Sequence, residues 1–150
     1  MRTLFCVTVL LGVMALAAAP AEAARHSFDG TIKLAAIEET GNPPFSGSAN
    51  YAGRVTSSLG HGAILAHNDY SASPAFQGTF RIFYKKGTLK ATTSGSGSLE
   101  PGGGTSITGT GQITKGAGKY KGAKGKFTFT GTQPPNSTVR TFELDGSVRY

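Results

Sequence analysis

Large apolar residues in this chain recur at every second position, and glycine repeatedly falls on the same parity. Phe28, Gly30, Ile32 and Leu34 alternate with Asp29, Thr31 and Lys33. Phe76, Gly78, Phe80, Ile82 and Tyr84 alternate with Gln77, Thr79 and Arg81, broken only by Phe83, and Ile107 and Ile113 hold Gly109 and Gly111 between them in phase. A period of two puts successive side chains on opposite faces of an extended chain, which is the pattern of half-buried β-strands. No window past residue 23 carries a 3.6-residue apolar period. The best helical candidate, residues 34–40, is too short and runs into Gly41-Asn42-Pro43-Pro44.

The alternation predicts strands over residues 28–34, 45–57, 62–70, 76–85, 88–94, 106–114, 120–132 and 138–150, joined by Gly, Pro, Asn and Lys-Gly turns. The phase of the third is open, because Ile64 and Leu65 are adjacent. Residues 95–104, rich in Gly and Ser, predict a long loop. The fold class is therefore all-β, an eight-stranded antiparallel up-and-down β-barrel, with a β-sandwich as the alternative. Glycine among the inward residues relieves crowding and lets strands coil sharply enough to close.

Arg2, the uncharged apolar run from Leu4 to Ala19 and the small-x-small pattern Ala21-Glu22-Ala23 form a secretory signal, with cleavage expected between Ala23 and Ala24. The run is shorter than the roughly 20 apolar residues that span a bilayer. The expectation is a secreted domain over 24–150 with no transmembrane segment. Cys6, the single cysteine, leaves with the signal, which excludes thiol chemistry, Cys-ligated zinc and iron–sulfur clusters.

The net charge is +7, and removing Arg2 and Glu22 leaves it unchanged. A basic secreted domain prefers anionic polymers and surfaces. The stretch Gly109 to Thr132 concentrates this charge in Lys115, Lys119, Lys121, Lys124 and Lys126, with no acid among them and with Tyr120, Phe127 and Phe129 interleaved. A phosphate loop is excluded, because Gly116-Ala117-Gly118 continues with the wrong spacing into a strand. A stacking groove for single-stranded nucleic acid is weakened by parity: Phe127 and Phe129 share one face, Lys126, Thr128 and Thr130 the other. The stretch reads as two strands around a glycine bend. A bulge or bend near Gly122 would gather the five lysines on one surface as a candidate site for an anionic polymer or cell surface, without specific nucleic-acid recognition.

Metal and hydrolase chemistry find little support. His61 and His67 stand six residues apart on one predicted strand, roughly 20 Å, too far to share an ion. His67 and Asp69 share a face as a half-site at most. No His-Glu-x-x-His or Gly-x-Ser-x-Gly occurs, and Glu143 and Asp145 face away from the apolar side of the last strand. No metal or cofactor is expected.

The run from Ile107 through Thr-Gly-Thr-Gly-Gln and Gly116-Ala117-Gly118 to Lys126, ending in Phe129-Thr130-Gly131-Thr132, resembles the strand–turn–strand signature of the allene oxide cyclase and dirigent-like β-barrel superfamily, nearest to its secreted bacterial members. Gly78-Thr79-Phe80 and the run from Lys85 to Leu89 are similar to that pattern as well. The resemblance departs at Gly116-Ala117-Gly118, where the family more often has Gly-Gly-Thr-Gly. It implies a barrel with a central cavity, a homo-oligomer, and a cyclase (isomerase-like) or dirigent-type activity on hydrophobic substrates. No catalytic residue is carried over.

Residues in phase with the apolar face, Tyr51, Phe80, Tyr84, Phe127 and Phe142, are the candidates to line such a cavity around a small hydrophobic ligand. Plain core packing is the competing account of the same five. An enzyme would need a carboxylate or a tyrosine hydroxyl inside.

Overall fold

A computed structural model of the chain describes residues 23–42, 46–70, 72 and 74–150. The expected signal, apart from Ala23, lies outside the described residues, as does Phe45 at the start of the second predicted strand. The strands are β1 (Arg25–Ser27), β2 (Gly30–Asn42), β3 (Ser46–Ser57), β4 (Gly60–Asp69), β5 (Ala75–Tyr84), β6 (Gly87–Leu99), β7 (Thr105–Gly118), β8 (Lys124–Gln133) and β9 (Val139–Arg149), with no helix among the described residues.

From β2 to β9 each strand pairs antiparallel with the next, and β9 pairs back onto β2 through Gly30↔Leu144 to Ala35↔Val139. That closes an eight-stranded up-and-down barrel and removes the sandwich alternative. The short β1 continues the line of β2 along the far half of β9, through Arg25↔Arg149 to Ser27↔Ser147. The meander sorts its connections onto two ends. The lower end carries the β3–β4, β5–β6 and β7–β8 turns with Ala24 and Tyr150. The upper end carries the β2–β3, β4–β5, β6–β7 and β8–β9 connections.

Half of the predicted loop over 95–104 is strand, and residues 100–104 form the β6–β7 connection. β6 runs to Leu99 and pairs Gly95↔Gly109 and Gly97↔Ile107. The period of two persists there, but the inward slots hold glycine instead of an apolar side chain, so the apolar signal vanishes. The predicted strand over 120–132 starts only at Lys124, because residues 119–123 form a turn in which Gly118 and Gly122 adopt the left-handed φ values 64° and 82°. The bend expected near Gly122 is this turn; a β-bulge lies in addition in β7, where Lys115 pairs with Lys90, Ile113 with Ala91, and Thr114 is left over. A second irregularity between Ala36 and Glu38 turns Ile37 outward. The ambiguous pair resolves with Ile64 inside and Leu65 half exposed.

Size complementarity fills the interior. Phe127 lies across from Gly111 and Gly146, Phe129 from Gly109, Phe142 from Gly131 and Phe76 from Gly95, each as cross-strand partners. A Cβ added at Gly111 would stand 1.9 Å from Phe127 Cζ; at Gly109, 2.3 Å from Phe129 Cζ; at Gly131, 2.3 Å from Phe142 Cδ1. The rings therefore occupy space that any side chain on the facing strand would take. They also meet one another, Phe127 with Phe28 and with Phe80 at 5.5 Å between centroids and Phe129 with Phe142 at 6.0 Å, contacts worth about 0.5–1.5 kcal/mol each beyond area burial.

Gly111→Ala is accordingly expected to destabilise the fold by about 1–3 kcal/mol, the range for overpacking a filled core. Thr110→Ala, on the exposed face next to it, should stay within about 0.5 kcal/mol. Urea unfolding midpoints measure both, and equal shifts would show that the rings do not depend on the facing glycine.

Candidate functional site

The five predicted cavity residues are all buried, but they do not surround one space. Phe80, Phe127 and Phe142 line a cavity of about 50 Å3 with Ile32, Ile64 and Asn68. A second cavity of about 40 Å3 lies toward the upper end among Asn68, Tyr70, Phe76, Ile107 and Phe142. Each holds one or two waters or a fragment of a few atoms, far below the roughly 300 Å3 where ligand pockets begin. Tyr51 stands at the upper end and Tyr84 at the lower.

Tyr84 belongs to the seal of the lower end. Its ring meets Tyr120 at 5.4 Å, Tyr120 meets Tyr150 edge-on at 5.0 Å, and Tyr150 stacks on His26 at 4.4 Å. Tyr120 comes from the β7–β8 turn, so the glycine bend folds a ring under the barrel. The Tyr84 hydroxyl bonds to Ser57 Oγ at 2.9 Å. Burial pushes Tyr84 up to about 12, with the Ser57 bond opposing and the nearby Tyr120 and Tyr150 hydroxyls adding. Burial also raises Tyr120, helped by Tyr150.

Around this seal the topology collects positive charge. Lys119 and Lys121 lie in the β7–β8 turn, Lys124 and Lys126 on β8, and Lys115 on the end of β7; all five are exposed. Sequence reasoning missed the rest of the ring. Lys85 and Lys86 form the adjacent β5–β6 turn, whose Lys86 carbonyl accepts from the Lys119 amide at 2.8 Å. Lys90 pairs across from Lys115, and Arg149 pairs with both Lys124 and Arg25. Three of these cations contact neutral groups: Lys124 Nζ donates to the Thr114 carbonyl at 2.6 Å, Lys119 Nζ lies 5.7 Å from the Tyr150 ring centroid, and Arg25 donates to Ser147 Oγ. Basic residues outnumber acids on this rim, where exposed Asp145, across from Thr128 on β9, shares the outer face with Lys126. Glu38, Glu39, Asp69 and Glu100 lie toward the upper end, while Asp29 at the lower end accepts from the Gly146 amide and from Ser27.

Next to the ring an open groove of about 990 Å3 crosses the outer face of β5 to β9. Lys126 and Arg25 stand in it with one carboxylate, Asp145, beside the hydroxyls and amides of Gln112, Thr110, Ser94 and Thr128, and no aromatic ring among its described lining residues is exposed.

The upper end holds a feature that the predicted sites omitted. Arg140 is 5% exposed and points inside the barrel. Its Nε donates to Gln133 Oε1 at 2.7 Å, its Nη1 to Tyr70 Oη at 3.0 Å and also to Tyr51 Oη, and the guanidinium carbon lies 4.7 Å from the Tyr51 ring centroid. Tyr51 and Tyr70 bond to each other at 2.8 Å, and Asn68 Nδ2 donates to Tyr70 at 3.2 Å. The signal was present in the sequence: Arg140 shares parity with Phe142 and Leu144, so a cation occupies an apolar slot.

The histidines play structural parts on the outside. His61 Nδ1 pairs with Thr56 Oγ1 at 3.1 Å and His67 Nδ1 with Asn50 Oδ1 at 2.8 Å. Among the described residues no three of His, Cys, Asp and Glu gather as a metal-ion group.

The Tyr84 site sets an alkaline limit. The unfolded chain releases this proton near 10.0 and the folded chain only near 12, so the stabilisation is complete below pH 10 and is lost as pH rises from 10 to about 12. Urea midpoints are expected to fall across that window, and to fall less steeply in Tyr84→Phe. An unchanged slope in the variant would assign the loss to another group.

No protein-family model matches the chain, and neither does any curated protein or any solved structure.

Proposed function

We propose that the protein is a secreted binding domain for an acidic polysaccharide, engaged by the lysine ring of the lower end and the groove that continues from it. The convergence of two Lys-rich turns and two strand ends on one rim carries this reading. Such a rim draws anionic polymers by charge, in a manner that salt screens. The adjoining groove supports a sugar chain over a nucleic acid: hydroxyls and amides match sugar hydroxyls, and it offers no stacking platform for bases. A carrier of hydrophobic molecules, or a cyclase- or dirigent-type enzyme as the family resemblance implies, would need interior volume. The filled core weighs against both.

The test is binding to a sulfated or uronic-acid polysaccharide at low and high salt, read by calorimetry. Affinity is expected to fall on raising salt from 50 to 200 mM, and by about tenfold or more when Lys115, Lys119, Lys121, Lys124 and Lys126 become glutamine. Glu38→Gln with Glu39→Gln, at the opposite end, should leave it unchanged. Undiminished affinity in the five-lysine variant overturns the reading. Equal affinity for single-stranded DNA removes the polysaccharide preference and leaves only charge.

A further inference from the structure

We propose that the upper end of the barrel binds a short-chain carboxylate, its head held by Tyr70 and Asn68 with the charge of Arg140 behind them, and its tail in the cavity lined by Phe76 and Phe142. The argument is a count of protons. The Tyr70 oxygen accepts from Arg140 Nη1 and from Asn68 Nδ2, which uses both of its lone pairs. In the 2.8 Å contact between the two phenols Tyr70 must then be the donor, and Tyr51, which accepts from Arg140 and from Tyr70, is saturated as well. The proton of Tyr51 is left with no acceptor in the cluster. Among the described residues every buried side-chain nitrogen and oxygen has a partner, yet the cluster holds more protons than lone pairs. Among the described residues the guanidinium bonds through Nε and Nη1.

A buried arginine ordinarily faces a carboxylate, because an uncompensated charge at low dielectric is costly. Here its partners are two phenols and an amide. A tyrosinate would supply the missing negative charge, but burial, reinforced by the bond to Tyr70 and opposed by Arg140, holds the Tyr51 hydroxyl well above the ordinary tyrosine range. What the cluster lacks is an anionic oxygen.

The place for it is the cavity of about 40 Å3 that Tyr70 and Asn68 line. A carboxylate there takes over the amide hydrogen that Asn68 gives to Tyr70. The lone pair freed on Tyr70 accepts the stranded Tyr51 proton, and the Tyr70 hydroxyl turns to donate to the carboxylate. Every proton then has an acceptor, and the guanidinium lies one hydroxyl away from the anion. The tail has the apolar walls of Phe76 and Phe142, and beyond them the cavity of about 50 Å3 that the same two rings and Asn68 share. Those volumes admit a tail of about one to three carbons and no more. The site stands apart from the lysine ring, at the other end of the barrel.

Titration of the full chain with acetate, propionate, butyrate, octanoate and 1-propanol, at constant ionic strength, tests this by NMR shifts of the Tyr70, Asn68 and Arg140 amides. Saturable binding is expected for the two- to four-carbon acids and not for octanoate or 1-propanol. Tyr70→Phe, which keeps the ring, and Asn68→Ala should each weaken it about tenfold or more, the cost of losing a bond to a charged group. Arg140→Met should abolish it; if that variant fails to fold, the other two carry the test. No saturation with any short acid up to 100 mM, 1-propanol binding as well as propionate, or undiminished binding in Tyr70→Phe would each overturn the proposal.

Discussion

The structure depends on placing a phenylalanine ring across from a glycine on the facing strand. An eight-stranded barrel has an interior only wide enough for side chains. Phe76, Phe127, Phe129 and Phe142 take it up because Gly95, Gly111, Gly146, Gly109 and Gly131 give way to them. The same choice lets the strands coil and close, so core filling and ring closure are one event. It also settles how much space remains: two cavities that admit a few atoms between them. A large hydrophobic molecule has no room in either cavity.

Those ends differ because an up-and-down meander alternates its turns. Lys85-Lys86 and Lys119 to Lys124 occupy connections of one parity and fall together; Glu38, Glu39 and Glu100 lie near connections of the other. Local clusters of charge in the chain thereby become two poles of the molecule. The lower pole is sealed by Tyr84, Tyr120 and Tyr150 and offers its charge outward. The upper pole keeps a single guanidinium inside, where low dielectric makes each unmatched proton matter.

The alternation identified the class, the closed meander and the inward side of nearly every strand. It misjudged residues 95–99 because glycine in an inward slot carries no hydropathy; only the ring of Phe76 across the sheet shows that Gly95 is a core position. It placed the bend of the lysine stretch inside a strand because Tyr120 looked like a strand residue. In the fold that ring comes from a turn and plugs the barrel. The five lysines were legible as exposed. Their companions Lys85, Lys86, Lys90, Arg25 and Arg149 were not, since they are distant in sequence and meet only through strand pairing.

By itself, then, the sequence determined the β-class, the parity that sorts core from surface, and the excess of positive charge, because each is a property of neighbours along the chain. The tertiary structure decided how little interior remains, which cations share a rim, and that Arg140, Tyr51, Tyr70 and Asn68 come together with more protons than acceptors. These depend on register and closure, which bring Arg140 into hydrogen-bond contact with Tyr51, 89 positions away, and no local pattern encodes that distance.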